Sequence, residues 1–521
     1  MAEKKLIIPK TIRANLVKTV GLAAVTPRSP DDTFEELFHS AQTKHIFGDN
    51  KVFVDLVPKK SPAVVLKTYQ VEQRLPGFDL EDFIGRNFYN LAKSDIQPIE
   101  PTADPQLHIA RLWTDLTITN RRNRGSLLAL PYEYVVPGGR FQEQFYWDSY
   151  FIMLGLATEK RWRLIEGMMK NYTYMIRRFG FIPTANRSYF LSRSQPPFFS
   201  HMVELLREYR GDYVTVEYLP YLLKECQFWM RGSRKLDSGY QSRRVVKLPD
   251  GTILNRYYDD KSSPRPESYM EDISTAASSL QEEYRSAMYL NLRAAAESGW
   301  DFSSRWFTDP NDISTIRTTN IIPVDLNCLL YHLESTIAKA YRLIKQKRLA
   351  KAYETTAANR ARAIQKYCWD EQRQFFYDYD FIRQETTTSD TLAAIFPLYV
   401  GLASKHQAAA VASKMERDFL KDGGLLTTSV NNGQQWDAPN GWAPLNYIAI
   451  KSLERYGYKK LADMIRRRWL QTNRLVFGRH HKFIEKYDVI QPGELGGGGE
   501  YALQDGFGWT NGVFEALLVD E

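Results

Sequence analysis

The stretch that decides the fold runs from Arg161 to Phe179 and reads RWRLIEGMMKNYTYMIRRF. Apolar side chains recur in it at intervals of three and four residues, at Leu164, Ile165, Met168, Met169, Tyr172, Met175, Ile176 and Phe179. This spacing places them on one face of an α-helix. The segment therefore predicts an amphipathic helix with one buried face.

The same spacing recurs downstream and predicts roughly a dozen helices between residues 145 and 519. It is seen again around Leu333–Ile344 and Leu461–Ile465. Strand signals are sparse, and the clearest is a hairpin over Val245–Leu254 with a turn at Pro249-Asp-Gly251. Consecutive helices can stack into a solenoid or close into a double ring. The absence of a fixed-period sequence repeat disfavours the solenoid.

The first 130 residues or so look different, with frequent prolines and a few short helices such as Thr33–Gln42. We divide the chain into an N-terminal extension with an irregular segment over 1–60 and a single catalytic domain over 61–521.

Composition excludes several classes of protein. The formal net charge is +8, but the basic residues are spread along the chain in short groups with acidic residues among them, which does not indicate a nucleic-acid partner. No run of 18 apolar residues suggests a membrane span. The start of the chain shows no apolar secretory core, and the three cysteines are far apart, which together favour a cytoplasmic protein. A periplasmic protein whose signal has been removed is the alternative.

Aromatic residues make up 13% of the chain, which fits either a bulky core or a cleft lined with rings for the apolar faces of sugars. The loops between the helices carry unusual residue combinations, and loops on a rigid scaffold are where functional sites usually lie. One loop is PGGRFQEQFYWDSY, at 137–150, and a second is NRSYFLSRSQPP, at 186–197. Arg265-Pro-Glu267 adds a rigid arginine–acid pair, although surface salt bridges explain most such pairs.

Three acids in later loops could perform chemistry. Asp301 lies between Trp300 and Phe302, where an apolar pocket would raise its pKa and keep it protonated as a general acid; the alternative is an exposed helix cap. Glu485, in FIEKYD, and Glu500, in GGGGEY, are both credible bases, and the residues alone do not rank them.

Other chemistries lack their signatures. There is no HExxH or CxxC spacing for a metal, no GxSxG nucleophile, and no Gly-Lys-Ser/Thr after the glycine run. We therefore expect no metal and no cofactor. The remaining acids, arginines, amides and aromatic rings are typical of a glycosidase.

Two long motifs carry a family resemblance. PGGRFQEQFYWD from Pro137 and QWDAPNGWAP from Gln435 resemble the signature sequences of the trehalase family, glycoside hydrolase family 37. SRSQPPFF, RPES, SGWDFSSRW, EKYD and GGGGEY also match in the expected order, so the resemblance covers roughly 130–515. It implies an (α/α)6 barrel with a few short strands in loops, and hydrolysis of α,α-trehalose to two glucose molecules with inversion.

The resemblance also implies roles for individual residues. It makes Asp301 the general acid and Glu485 the general base, and it assigns Glu500 to substrate contact. The positions expected to bind substrate are Arg140, Phe141, Trp147, Asp148, Arg193, Ser194, Gln195, Arg265, Glu267, Gly299, Trp436 and Glu500.

One position departs from the family pattern. Thr184 stands where the family has an asparagine that contacts sugar, so we expect retained activity with altered affinity. Trehalose is the expected partner, and the protein is expected to be a monomer. The alternative function is that of an inverting exo-glucosidase acting on another gluco-oligosaccharide.

Overall fold

The computed structural model describes residues 26–90, 102–237, 240–277 and 281–519. The first 25 residues, on which the cytoplasmic prediction partly depended, lie outside this range. In the described part the α-helices are α1 Pro30–Thr43, α2 Asn50–Asp55, α3 Pro62–Glu72, α4 Leu80–Asn87, α5 Pro105–Asp115, α6 Tyr146–Thr158, α7 Trp162–Phe179, α8 Phe199–Arg210, α9 Tyr213–Trp229, α10 Tyr269–Ala276, α11 Glu282–Ser298, α12 Val324–Leu343, α13 Lys347–Cys368, α14 Phe396–Tyr399, α15 Lys405–Lys414, α16 Ala443–Arg455, α17 Lys459–His480 and α18 Gly508–Leu518.

The strands of the described chain are two or three residues long. They are β1 Val57–Pro58, β2 Phe88–Tyr89, β3 Thr117–Ile118, β4 Tyr134–Val135, β5 Gln241–Ser242, β6 Val245–Lys247, β7 Ile253–Asn255, β8 Ile321–Ile322, β9 Trp369–Asp370, β10 Phe375–Phe376, β11 Tyr379–Asp380, β12 Glu385–Thr386, β13 Leu420–Lys421, β14 Gly424–Leu425, β15 Asn440–Trp442 and β16 Lys486–Asp488. They form antiparallel ribbons of two or three strands. The predicted hairpin is the β6–β7 pair, with Val246 opposite Leu254.

Helix α7 forms as its apolar spacing predicts. Ile165, Met168 and Met169 are fully buried, and so are their neighbours one and two turns further along. The helix ends at Gly180, which has a φ of 86° and caps the last turn in the left-handed conformation that glycine adopts without strain.

Six helices form an inner ring: α6, α8, α12, α14, α16 and α18. Each contacts the next in that order, and α18 closes the ring by packing along α6. The helices α5, α7, α9, α13, α15 and α17 lie outside it, so the architecture is the predicted (α/α)6 barrel. The main hydrophobic core lies within and between the two rings.

The chain before the barrel has a smaller hydrophobic cluster. Phe34, Phe53 and Phe83 pack in it together with Phe145 and Phe190 from the barrel loops. The segment therefore lies against the loop end of the barrel. The division at residue 60 stays a prediction.

Candidate active site

A cavity of about 750 Å³ lies at the end of the barrel where the inner helices begin. Trp147 and Asp148 come from the first turn of α6, Trp442 precedes α16, and Trp509 lies in the first turn of α18. Of the residues proposed from the sequence, those that line this cavity are Arg140, Phe141, Trp147, Asp148, Arg193, Gln195, Arg265, Glu267, Gly299, Asp301, Trp436, Glu485 and Glu500.

Ser194 is the one proposed residue outside the cavity lining. Its hydroxyl donates to the carbonyl oxygen of Ile182 at 2.6 Å, and its backbone N–H donates to buried Glu297 at 2.8 Å. The hydroxyl of Thr184, which does line the cavity, donates to the Ser194 carbonyl at 2.8 Å. Ser194 and Thr184 thus fix the loop that presents Arg193 and Gln195.

Gly299 places Asp301 at the cavity wall. It ends α11 with a φ of +74°, and a Cβ at this position would lie 2.9 Å from the indole of Trp147. Only glycine allows both the left-handed turn and this close approach. Two residues later, the backbone carbonyl of Asp301 accepts a hydrogen bond from the Gln435 side chain.

The surroundings of Asp301 suit a general acid. Burial raises the pKa of its carboxyl to about 7, and Glu500 adds to the effect while the positive charge of Arg265 opposes it. A carboxyl with a pKa near 7 is half protonated at neutral pH and can donate a proton.

Glu485 lies in a different environment. It precedes β16, which pairs with β15, and its side chain is buried. Lys486 Nζ donates to Glu485 Oε2 at 3.1 Å, and the Tyr501 hydroxyl donates to Oε1 at 2.8 Å. Both contacts fix the orientation of its carboxyl group beside the cavity, as a general base requires.

Asp148 is a third buried acid in the cavity. Burial raises its pKa well above the ordinary value, and the charges of Glu485 and Asp301 raise it further. A high pKa alone therefore does not single out Asp301 as the acid.

Two arginines are held by carboxylates at the cavity wall. Arg193 forms ion pairs with Glu267 and with Asp259. Arg265 donates to Asp272 at 2.6 Å and to Glu500 at 2.8 Å. Among the described residues, Nε of Arg193 and Oε2 of Glu267 make no hydrogen bond although they are buried. They can therefore bind sugar hydroxyls.

Stacked tryptophans form a rigid part of the wall. Trp436 lies parallel to Trp442, with centroids 3.9 Å apart, and stacks on Trp300 at 5.4 Å. The second motif thus contributes two tryptophans of this stack, Trp436 and Trp442, to the cavity lining.

Sequence reasoning missed further lining residues. Tyr501 and Trp442 lie inside quoted motifs, so their position beside named residues was the available signal. The sequence held no signal for Lys51, because this residue lies in the segment that was interpreted as an N-terminal extension. It is buried, donates to Glu143 at 3.0 Å, and lines the cavity.

The described residues carry neither a metal-binding cluster nor a membrane-spanning helix. No group of three or more His, Cys, Asp or Glu side chains there is arranged to hold a metal ion. None of the helices in that part of the chain has the length and apolar character needed to cross a bilayer.

The (α/α)6 barrel, with a cavity that combines paired acids, arginines and tryptophan faces, defines a glycoside hydrolase. A family model described as Trehalase matches residues 45–520, and the chain belongs to the trehalase family. A periplasmic trehalase of Escherichia coli is 48% identical over 498 residues, which is 95% of this chain and 88% of the relative. One from Shigella flexneri is 47% identical over 497 residues, with the same coverage.

Solved structures agree on the fold. The neutral trehalase of Saccharomyces cerevisiae has a TM-score of 0.62 at 26% identity, covering 81% of this chain and 80% of that one. A mannosylglycerate hydrolase from Thermus thermophilus has a TM-score of 0.52 at 18% identity, covering 80% of this chain and all of its own, and supports the fold alone. The protein is therefore an enzyme that hydrolyses trehalose to glucose.

The cytoplasmic prediction is wrong, because the curated relatives are periplasmic trehalases. The widely separated cysteines do not identify a compartment either. Burial raises the pKa of Cys226 to about 12 and that of Cys328 well above the ordinary value. Such thiols are unreactive in either compartment and do not identify one.

Proposed function

We propose that the enzyme splits trehalose with inversion, with Asp301 as the general acid and Glu485 as the general base. Asp301 protonates the bridging oxygen while Glu485 removes a proton from a water that attacks the anomeric carbon on the opposite face. The observation that carries the proposal is the contrast between the two acids in one cavity. Asp301 has a pKa of about 7, whereas Glu485 accepts hydrogen bonds from an ammonium and a phenol.

Inversion sets a geometric requirement. A water must fit between the base and the sugar, so the two carboxyl groups should lie about 6.5–9.5 Å apart, against about 5 Å in enzymes that retain configuration. One glucose then leaves as the β-anomer and the other as the α-anomer.

The remaining lining residues bind the two glucose units. Arg193, Arg265 and Glu267 are held in ion pairs that fix their orientation before substrate arrives, which lowers the cost of ordering them. Trp436, Trp147 and Phe141 supply apolar faces for the sugar rings. Asp148, Gln195 and Glu500 are assigned to the hydroxyls.

The turnover of single variants at the two acids tests these roles. Asp301→Ala and Glu485→Ala should each lower kcat by about 10²–10⁴-fold, with modest changes in trehalose affinity measured by calorimetry. Near-normal turnover in either variant would exclude that residue from its role.

Two further proposals concern the protein in its cell. We place it in the periplasm, because the curated relatives, which match 95% of the chain, are named periplasmic. Fractionation of producing cells tests this, and activity confined to the cytoplasm would contradict it. We also propose a monomer, and a light-scattering mass near 60.4 kDa is the expected result.

A further inference from the structure

A connection between the two proposed catalytic acids begins at the β15–β16 ribbon. Trp442 pairs with Lys486 across this ribbon. The Trp442 indole N–H donates to the backbone carbonyl of Gln435 at 3.0 Å, which holds Gln435 beside Lys486. Lys486 Nζ then donates to Gln435 Oε1 at 3.0 Å and to Glu485 Oε2 at 3.1 Å.

The other end of the connection reaches Asp301. The Gln435 amide donates through Nε2 to the backbone carbonyl of Asp301. Three hydrogen bonds therefore run from the backbone of the acid, through Gln435 and Lys486, to the carboxylate of the base. Asn440 fixes the middle of this path, because its side chain also donates to the Gln435 carbonyl, at 3.1 Å.

We propose that Gln435 and Lys486 are positioning residues that hold the acid and the base at their working separation, with Lys486 also supplying the counter-charge of the Glu485 carboxylate. The inference rests on the proposed roles of Asp301 and Glu485. Neither Gln435 nor Lys486 needs to touch the substrate for this purpose.

The burial of Lys486 explains why it can act on the charge of Glu485. Its side chain is fully buried, and within the described residues its one salt bridge is with Glu485. Aromatic rings flank the ammonium, with the centroids of Trp442 and Tyr501 at 5.3 and 5.4 Å. A buried ammonium without a counter-charge is strongly unfavourable, so Lys486 and Glu485 form a buried ion pair in which each supplies the counter-charge of the other.

Other charged and titratable groups also face Glu485. The Tyr501 hydroxyl donates to it, and Arg140 lies over the Tyr501 ring at 4.6 Å. Asp148 faces it as a second acid, and the two repel one another when both are ionised. Lys486 is the cation in direct contact with Glu485 among the described residues, so its removal should have the largest effect on this carboxylate.

The test uses the full-length enzyme and two substrates, trehalose and α-glucosyl fluoride, whose fluoride leaves with little help from an acid. Lys486→Met keeps the length of the side chain and removes its charge. It should lower kcat on both substrates about 100-fold or more, with KM within about threefold. The acidic limb of its kcat/KM profile should move upward by about one pH unit or more.

Gln435→Met removes the contact with Asp301. Its loss of kcat should be at least about tenfold larger on trehalose than on the fluoride, because only trehalose needs the acid. Lys486→Arg returns the charge and should bring the acidic limb back. It also keeps the test decisive if the methionine variant does not fold, since a limb that stays displaced in the arginine variant would overturn the proposal.

Further outcomes separate the inference from the proposed function. Unchanged acidic limbs in folded Lys486→Met, or equal losses on both substrates in Gln435→Met, would overturn the positioning roles. Glu485→Gln, measured in parallel, should lose turnover. If it keeps turnover, the assignment of the base is wrong, whatever the Lys486 variants do.

Discussion

The pKa of Asp301 makes a quantitative prediction about the rate profile. At its ordinary value of 3.8, about one carboxyl in 1,600 would be protonated at pH 7, whereas at a pKa of about 7 half are. Burial therefore raises the active fraction at neutral pH about 800-fold. The value of kcat/KM on trehalose should fall with a midpoint near pH 7, reaching about a tenth of its plateau at pH 8.

Asp301→Asn should remove this dependence together with most of the rate. We expect kcat on trehalose to fall about 10²–10⁴-fold. On α-glucosyl fluoride the variant should keep much of its rate, and the basic limb should be absent, because fluoride leaves with little protonation.

Asp148→Asn is the matched control, since Asp148 is also a buried acid of raised pKa in the same cavity. As a residue that binds hydroxyls, it should lose rate on both substrates alike. Initial rates are followed by coupled glucose release and by a fluoride electrode between pH 4.5 and 9. The reasoning is refuted if Asp301→Asn loses as much rate on the fluoride as on trehalose. It is also refuted if Asp148→Asn is the variant that keeps its rate on the fluoride while losing it on trehalose.

Three further predictions concern a glycine at the cavity wall, the threonine beside it and a buried histidine. Gly299→Ala forces a side chain into a φ of +74° and against Trp147, so it should lower the unfolding free energy by about 1–2 kcal/mol and raise KM. The control Gly180→Ala, at a φ of +86° with open space around it, should lower the unfolding free energy similarly and leave KM unchanged. Equal KM values in the two variants would contradict this prediction. Thr184→Asn adds one hydrogen-bonding group at the cavity wall, so KM should fall roughly two- to tenfold with kcat preserved, and an unchanged KM would count against the affinity argument. Burial lowers the pKa of His332 to about 4, so between pH 6.5 and 4 the unfolded chain binds a proton that the folded chain does not. The unfolding free energy, measured by urea unfolding, should therefore drop by up to about 3 kcal/mol over this range, and by less in His332→Gln. Equal drops in both proteins would show that His332 is not the cause.

The individual helices of the barrel could be predicted from the sequence, whereas the way in which they close into a ring could not. The spacing of apolar residues in α7 defined the helix and its buried face, whereas its cap at Gly180 became clear only in the structure. Periodicity does not say which helix packs on which, because every amphipathic face is a possible partner for every other. Closure into a barrel was therefore expected only from the family resemblance, and the order of the inner ring, closed by α18 along α6, is a finding of the structure.

The residues of the site likewise fall into two groups, those that the sequence alone could suggest and those that it could not. Local context was enough to suggest a raised pKa for Asp301, because it lies between the aromatic residues Trp300 and Phe302, whose side chains are both buried. It could not place Lys51, which reaches the cavity from a segment about 90 residues before the first motif loop in chain order. Nor could it join Gln435 to Lys486, since their contact depends on strand pairing across about 50 residues of sequence.

The stereochemistry of hydrolysis tests the central claim most directly. Trehalose is mixed with enough enzyme to finish the reaction faster than glucose mutarotates, and the anomeric protons are followed by NMR from the first minute. Inversion by Asp301 and Glu485 predicts equal amounts of α- and β-glucose in the earliest spectra. Early release of α-glucose alone would show retention and would contradict the assignment of Glu485 as a base that activates water.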